Sequence, residues 1–227
     1  MDAVHINVRQ ARGRMSHATT PPPRGTYRHG DLRRALLDAG IELARSGGPG
    51  AVTLREATRR AGVVPNAAYR HFTGQQDLLH CVRSAALAAI AVSMEAELAT
   101  IDPDVSPATF AKANLRAVGV GYLRFARNEP GLFRTAFGIA PPSEETSNSE
   151  KSGSTGLNPF QLLSLALDRM EAANVLTTKR RVGAEYLAWS AVHGLAMLVI
   201  DGPLQVMDDQ KIDALIPRLL DMVESGI

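Results

Sequence analysis

The segment from Thr53 to Phe72 constrains the fold more than any other part of the chain. Its apolar residues have helical spacing on both sides of Gly62, and Pro65 follows three residues later. A glycine accepts the left-handed backbone of a tight turn, and a proline fits the first turn of a helix because an N–H there would have no partner. Ala57 is small enough to let two helices cross closely. The segment therefore predicts two short helices joined by a tight turn, a helix-turn-helix.

The outward face of the second of these helices is polar. It presents Asn66, Ala67, Tyr69, Arg70 and His71. Amide and guanidinium groups read base edges in the major groove, whereas hydroxyl and basic groups bind backbone phosphates. Aromatic residues at helical spacing can instead belong to the core, and we expect this of Phe72 alone. The pattern therefore predicts a helix that enters the major groove of DNA.

Charge is divided unevenly along the chain. Residues 1–83 carry 13 Lys/Arg and 6 Asp/Glu, a net charge of +7, whereas residues 84–227 carry 12 and 17, a net charge of −5. Phosphate contacts supply much of the affinity for nucleic acid through the release of counterions. A basic N-terminal region on an acidic body thus favours DNA binding by the N-terminal region. Residues 1–27, with four arginines and a triple proline, are predicted to be a disordered basic arm.

The rest of the chain also has helical periodicity and no alternating strand pattern. Helix starts are marked by capping boxes at Thr53–Glu56 and Asn158–Gln161 and by Ser106 before Pro107. We predict an all-α fold of about nine helices. They are expected at 31–46, 53–60, 65–71, 75–100, 107–127, 131–138, 158–174, 178–200 and 208–225. The predicted domains are a three-helix DNA-binding domain at 28–75 and a helical effector-binding and dimerisation domain at 76–227, with a flexible loop at 140–156.

Five short motifs in the N-terminal region follow one family pattern. They are Ala44-Arg45-Ser46-Gly47-Gly48, Val52-Thr53-Leu54-Arg55, Ala61-Gly62-Val63, Ala68-Tyr69-Arg70-His71-Phe72 and Asp77-Leu78-Leu79. With them, the stretch from Gly30 to Leu79 resembles the DNA-binding domain of the tetracycline-repressor (TetR) family. The pattern differs at Val64, where a Ser or Thr often caps the recognition helix, and at Gln75, where a phosphate-binding lysine often begins the fourth helix.

The resemblance assigns roles to individual residues. It implies phosphate contacts by Thr53, Tyr69 and His71. The candidate base readers are Val64, Pro65, Asn66, Ala67 and Arg70, and Arg55 completes the predicted DNA-binding set.

The segment Tyr186 to Leu195 resembles the Trp-His-Gly signature of one TetR C-terminal subgroup, and residues 130–134 fit the same subgroup. Trp189 and His193 share one helix face because they are four residues apart. We predict a pocket for a small, largely apolar effector, walled by aromatic and flexible apolar side chains. The predicted wall is Phe110, Tyr122, Phe133, Phe137, Met170, Trp189, His193 and Met197. Two alternatives stay open: these residues close a dry core, or His193 is a hydrogen-bonded core residue.

The predicted function is a repressor that leaves a palindromic operator when its effector binds, with the fourth helix as a lever between pocket and DNA-binding head. Two-fold symmetry doubles the DNA site, so we predict a homodimer through the last two helices. The expected interface consists of the small residues Gly183, Ala184, Ala188, Ala191 and Gly194 together with Leu215, Leu219 and Met222.

Other classes of protein are less consistent with the sequence. Cys81 is the only cysteine and no signal segment is visible, which favours the cytoplasm. No nucleophile motif, phosphate loop or paired-histidine spacing indicates an enzyme, and no cofactor is expected. Asp77, His80 and Cys81 form a weak metal candidate. The alternative function is a helical adapter, or a redox-responsive regulator that acts through Cys81 without a small-molecule ligand.

Overall fold

The computed structural model describes residues 29–138 and 148–227, and these ranges contain ten α-helices and no strand. The all-α prediction is confirmed. The helices are α1 (His29–Gly47), α2 (Leu54–Arg60), α3 (Pro65–Ala68), α4 (Gln75–Leu98), α5 (Pro107–Asn128), α6 (Pro130–Phe137), α7 (Pro159–Ala172), α8 (Thr178–Arg181), α9 (Ala184–Ile200) and α10 (Asp209–Gly226). Two short 3-10 turns lie at Pro49–Ala51 and Asn148–Lys151.

Helices α1 to α3 form the N-terminal head. The Thr53 side chain caps α2 by accepting the Glu56 N–H at 3.2 Å, and Gly62 has a left-handed backbone with φ of 68°. Both features were expected from the sequence. The reciprocal half of the predicted capping box does not form, because the Glu56 carboxylate binds Arg59 at 2.5 Å instead. Phe72 is buried, with the Arg33 guanidinium 5.3 Å from its ring centroid.

Two predicted helices are shorter than expected. Helix α3 ends at Ala68 rather than at residue 71, and the His71 amide donates at 2.9 Å to the Ala68 carbonyl three residues earlier, which is a tighter turn than an α-helix makes. The single helix predicted for 178–200 is wrong. Gly183 has φ of 75° and divides this segment into α8 and α9, which raises the number of helices to ten.

The segment after α6 corrects the prediction of a flexible loop at 140–156. Residues 139–147 lie outside the described ranges, as does the predicted arm. Residues 148–156 are held against α4, where the Glu95 carboxylate accepts the Ser154 amide at 2.7 Å and the Thr155 amide at 2.9 Å. Partial burial alone would raise the pKa of Glu95, but these hydrogen bonds together outweigh it, so the pKa is lowered. This part of the loop is therefore ordered.

Helix α5 is the centre of the C-terminal domain and packs against α4, α6, α7, α9 and α10. Ion pairs fix α10 along it. They join Arg127 to Asp213, Arg116 to Asp221 at 2.5 Å and Lys112 to Glu224 at 2.8 Å. The acidic α10 thus faces a basic side of α5.

Some residues of the predicted dimer interface on α9 point into the subunit. Ala184 and Ala188 are buried within the subunit, and Gly183 forms the break before the helix. These three residues are therefore removed from the predicted interface. Gly194 has open space around its Cα, and Leu187 and Leu198 are 62% and 43% exposed.

Helix α4 is long and apolar enough, by length and composition, to cross a membrane. Its residues Leu78, Val82 and Ile90 are buried against neighbouring helices. Core helices of soluble proteins pass the same test, so α4 alone is weak evidence for a membrane span.

The head and the C-terminal domain meet where α6 begins. The backbone of α6 at Gly131 lies against the carbonyl oxygens of Ala44 and Arg45 in the last turn of α1. Beside this contact, the Arg45 guanidinium donates to the Glu129 carboxylate at 2.8 Å. The absence of a side chain at Gly131 is what allows this approach.

Replacing Gly131 with alanine should destabilise the protein, because the new methyl group would overlap the two α1 carbonyl oxygens. Such overpacking costs about 1–3 kcal/mol. Thermal unfolding followed by circular dichroism would measure the effect. Gly138→Ala is the matched control at the other end of α6, where an added methyl group meets only ordinary contacts of 3.4 Å or more. Equal melting temperatures for the two variants would contradict the proposed close contact.

Candidate functional site

The recognition segment presents most of its predicted DNA-binding residues to solvent. Tyr69 is 61% exposed and Val64 is 68% exposed. The exposed members of the set are Arg55, Val64, Pro65, Asn66, Tyr69 and Arg70, and the half-buried members are Thr53, Ala67 and His71. Ala68 and Phe72 are buried below them and fix the turn. The predicted residues are thus exposed or half-buried side chains on α2, on α3 and on the segments that flank them.

Some arginine side chains of the head are already paired with a carboxylate, and others are not. Arg59 and Arg60 both pair with Glu56, and the Arg59 hydrogen bond lowers the pKa of that carboxyl group. Arg55 and Arg70 form no ion pair with any residue of the described ranges. Val64 gives α3 no side-chain cap, as its departure from the family pattern implies. The guanidinium groups available to an anionic partner are therefore those of Arg55 and Arg70.

A second site is a cavity of about 280 Å³ in the C-terminal domain. Its wall is formed mainly by apolar side chains of α4, α5, α6, α7, α9 and α10. The residues that line it are Leu87, Met94, Leu115, Arg116, Val118, Gly119, Tyr122, Ala136, Phe137, Lys151, Asn158, Pro159, Phe160, Leu163, Ala188, Trp189, Val192, Leu220 and Val223. Its volume is close to the lower end of the range for small-molecule pockets, roughly 300–1,000 Å³.

The predicted pocket residues fall into three groups. Tyr122, Phe137 and Trp189 line the cavity. Phe133 and His193 lie behind them in one aromatic cluster, with ring centroids 5.3 Å from Tyr122 to Phe133 and 4.9 Å from Phe137 to His193. The remaining three, Phe110, Met170 and Met197, are not part of the cavity wall. Met170 is fully buried in the core, and Phe110 packs near the Arg169 guanidinium.

A chain of hydrogen bonds joins three residues of the cluster. The Trp189 indole N–H donates to the Tyr122 hydroxyl oxygen at 3.1 Å, and that hydroxyl group lies 2.8 Å from Nδ1 of His193. Burial lowers the pKa of His193 and raises the pKa of Tyr122. Both groups are therefore neutral near pH 7, and the chain is satisfied when the Tyr122 hydroxyl donates to Nδ1.

Sequence reasoning missed several wall residues. Leu220 and Val223 follow helical spacing on α10, but periodicity does not reveal which cavity such a face adjoins. Phe160 was recognisable as an aromatic next to the Asn158 cap, which forms the predicted box with Gln161. Nothing in the sequence indicated that Lys151 would line the cavity, because it lies in the segment predicted to be a flexible loop.

The structure does not support Cys81 as a reactive thiol or Asp77, His80 and Cys81 as a metal site. Burial is the main cause that raises the pKa of the Cys81 thiol, with Arg33 opposing the shift. A raised pKa disfavours the reactive thiolate. Among the residues with described positions, no group of three or more His, Cys, Asp or Glu side chains could hold a metal ion.

An exposed helix-turn-helix followed by a helical domain with an apolar cavity is typical of DNA-binding transcriptional regulators. Residues 36–82 match the family model of bacterial regulatory proteins of the tetR family, and residues 115–223 match the tetracyclin repressor-like C-terminal domain. Together the two models cover more than two thirds of the chain. The chain is a TetR-family DNA-binding transcriptional regulator with a TetR-like C-terminal domain. Neither model describes an enzyme family.

Solved structures share the fold over nearly the whole chain. A protein of unknown function from Rhodococcus sp. RHA1 is 22% identical with a TM-score of 0.71, covering 90% of this chain and 99% of that one. The regulator FadR from Bacillus subtilis in complex with stearoyl-CoA is 17% identical with a TM-score of 0.60, covering 86% and 98%. A TetR variant from Acinetobacter baumannii AYE in complex with minocycline is 19% identical with a TM-score of 0.54, covering 88% and 96%. The search of curated proteins gives no match.

Replacing Tyr122 with phenylalanine should destabilise the protein by about 1–3 kcal/mol, because Trp189 Nε1 and His193 Nδ1 both lose their partner. Denaturant unfolding followed by the fluorescence of Trp189, the only tryptophan, would measure the loss. Tyr186→Phe is the matched control, since the Tyr186 side chain is 60% exposed. An unchanged midpoint for Tyr122→Phe would show that the hydrogen-bond chain contributes nothing to stability.

Proposed function

We propose that the protein is a repressor that binds a palindromic operator as a homodimer and is released when a small apolar effector enters the cavity. The observation that carries this proposal is the position of the cavity. It lies against α4 and α6, and both of these helices also contact α1 of the DNA-binding head. Two structurally similar proteins have structures with stearoyl-CoA and minocycline bound, which supports a ligand-binding role for this domain.

Release follows from a preference of the effector for one conformation. A ligand that binds both conformations equally shifts nothing, whereas a shift from 99:1 to 1:99 requires about 10⁴-fold tighter binding to one of them, roughly 5.5 kcal/mol. An effector that contacts Phe137 would move α6, and movement of α6 would reach α1 at Gly131. The predicted lever, α4, offers a second route, since Leu87 and Met94 line the cavity.

The proposal is tested by combining ligand binding with DNA release. DNA from upstream of the protein's own gene would be protected in footprinting, and a panel of apolar compounds would be screened by Trp189 fluorescence. We expect at least one compound to change the fluorescence and to release DNA in a gel-shift assay. Release without any cavity binding, or no response by a DNA-binding protein across the panel, would contradict the proposal.

The proposed DNA contacts are Arg55 and Arg70 with the other exposed residues of the head, and Thr53, Tyr69 and His71 as phosphate contacts. The Thr53 hydroxyl oxygen already accepts a hydrogen bond from the Glu56 amide, which leaves the hydroxyl hydrogen able to donate to a phosphate.

Cytoplasmic localisation and the domain boundaries at 28–75 and 76–227 belong to the same proposal. The raised pKa of Cys81 makes the redox-responsive alternative less favourable. Membership of the Trp-His-Gly subgroup stays a prediction.

Replacing Arg70 with alanine should weaken operator binding by about 1–3 kcal/mol. If Arg70 contacts a phosphate, the slope of log affinity against log salt should also fall by about one. Fluorescence anisotropy at several salt concentrations would separate the two effects. Lys179→Ala is the control, because Lys179 is exposed on α8 at a distance in sequence from the head. Equal losses for the two variants would contradict the assignment of Arg70.

The proposed dimer interface uses the outward faces of α9 and α10. On α9 it comprises Leu187, Ala191, Gly194 and Leu198. On α10 it comprises Leu215, Leu219 and Met222, of which Met222 is 59% exposed. Leu187, Leu198 and Met222 are exposed apolar side chains on two helices that pack against each other, and exposed apolar side chains of this kind favour an interaction surface.

Replacing Leu187 with arginine should convert the dimer to a monomer, because the interface would have to bury an unpaired charge. Light scattering coupled to gel filtration would give the mass of each species. Val92→Arg on α4 is the control, since Val92 is 47% exposed but lies outside the proposed interface. A monomeric parent protein at micromolar concentration would overturn the dimer.

A further inference from the structure

The charge of the cavity wall differs in sign from that of the domain around it. Residues 84–227 have a net charge of −5, yet no Asp or Glu is among the described residues that line the cavity. The two charged residues in the wall, Arg116 and Lys151, are both cations. An apolar cavity with only cationic charge in its wall favours a ligand with a negative group.

The two cations are not equivalent. Arg116 binds Asp221 at 2.5 Å and also lies 3.6 Å from Glu224, so its charge is already neutralised. Lys151 forms no hydrogen bond or ion pair with any residue that the structure describes. A cation that is partly withdrawn from water gains stability from an anionic partner. Lys151 is thus the wall cation that is free to bind one.

The backbone places Lys151 at the cavity rather than leaving it on a mobile loop. It ends the 3-10 turn Asn148–Lys151, and the residues that follow are fixed to α4 by the Glu95 carboxylate. That carboxylate is occupied by the Ser154 and Thr155 donors and makes no ion pair with Lys151. The start of α7 at Asn158 and Pro159 lines the same cavity, and the N-terminal end of a helix carries partial positive charge.

We infer that the effector is an amphiphile with an apolar body and one anionic headgroup, held by Lys151. This inference rests on the proposed function, because it names the chemical class of the effector for the same cavity. A volume of about 280 Å³ lies just below the range of roughly 300–1,000 Å³ for small-molecule pockets, so the effector is a small molecule. The single unpaired lysine matches one negative charge. A polyphosphate would need several cations.

The experiment compares three ligands with the same apolar chain and different headgroups. Octanoate, octanol and octylamine would be titrated into the full-length protein, with binding followed by Trp189 fluorescence and calorimetry. We expect octanoate to bind about tenfold tighter than octanol, and octylamine to bind weakest. In the Lys151→Met variant the octanoate preference should disappear while octanol affinity is unchanged, and Lys151→Arg should restore it.

Controls separate this inference from the proposed function. Lys179→Met removes an exposed lysine that does not line the cavity, and it should leave the octanoate preference intact. Circular dichroism of each variant checks folding, and gel shifts report DNA release. Equal binding of all three ligands would overturn the role of Lys151 but leave the apolar effector cavity in place. Binding of none of them would count against both.

Discussion

The backbone contact between α6 and α1 is the constraint on which the coupling of the two domains depends. At Gly131 the α6 backbone touches the carbonyl oxygens of Ala44 and Arg45, with no side chain between them. The Arg45–Glu129 ion pair flanks this contact, and Arg134 holds the same helix to Asp201 after α9 at 2.7 Å. Close-packed interiors have low compressibility. A displacement of α6 must therefore move α1 or break these contacts.

The cavity is built against that same helix. Phe133 and Phe137 lie one turn apart on α6, and their ring centroids are 5.0 Å from each other. Both pack on Tyr122, whose hydroxyl group connects Trp189 to His193. The side chains of this cluster have little freedom to move, because the ring contacts and the hydrogen bonds hold them against one another. A ligand that is too large for the space beside Tyr122 and Phe137 would therefore have to displace α6 or the aromatic cluster.

Short-range sequence features predicted the structure of the N-terminal head. The cavity depends on contacts between residues far apart in the sequence, so less of it could be predicted. Thr53 and Gly62 have roles set by residues within a few positions along the chain, so the cap and the turn were predictable, and the helical spacing of Phe72 indicated its place in the core. The break at Gly183 was not, because a single glycine inside a helical pattern is compatible with a continuing helix. Lys151 lies in a polar segment whose position depends on Glu95, more than fifty residues earlier. Met170 and Leu220 both lie on the apolar side of a helix. Only the packing of α5, α7 and α10 decides that Leu220 lines the cavity whereas Met170 is buried in the core.

The cavity has an energetic consequence for the unliganded protein. The cavity is a space of about 280 Å³ with a mainly apolar wall, and side chains that face empty space lose packing contacts. Whole domains are stable by only about 5–15 kcal/mol. Under the proposed function, a conformation that partly closes the cavity would compete with the open one. An occupant stabilises the open form by about 2.7 kcal/mol at a concentration of 100 times its Kd. Because α6 also contacts α1, under the proposed function a change in the cavity would be passed to the DNA-binding head.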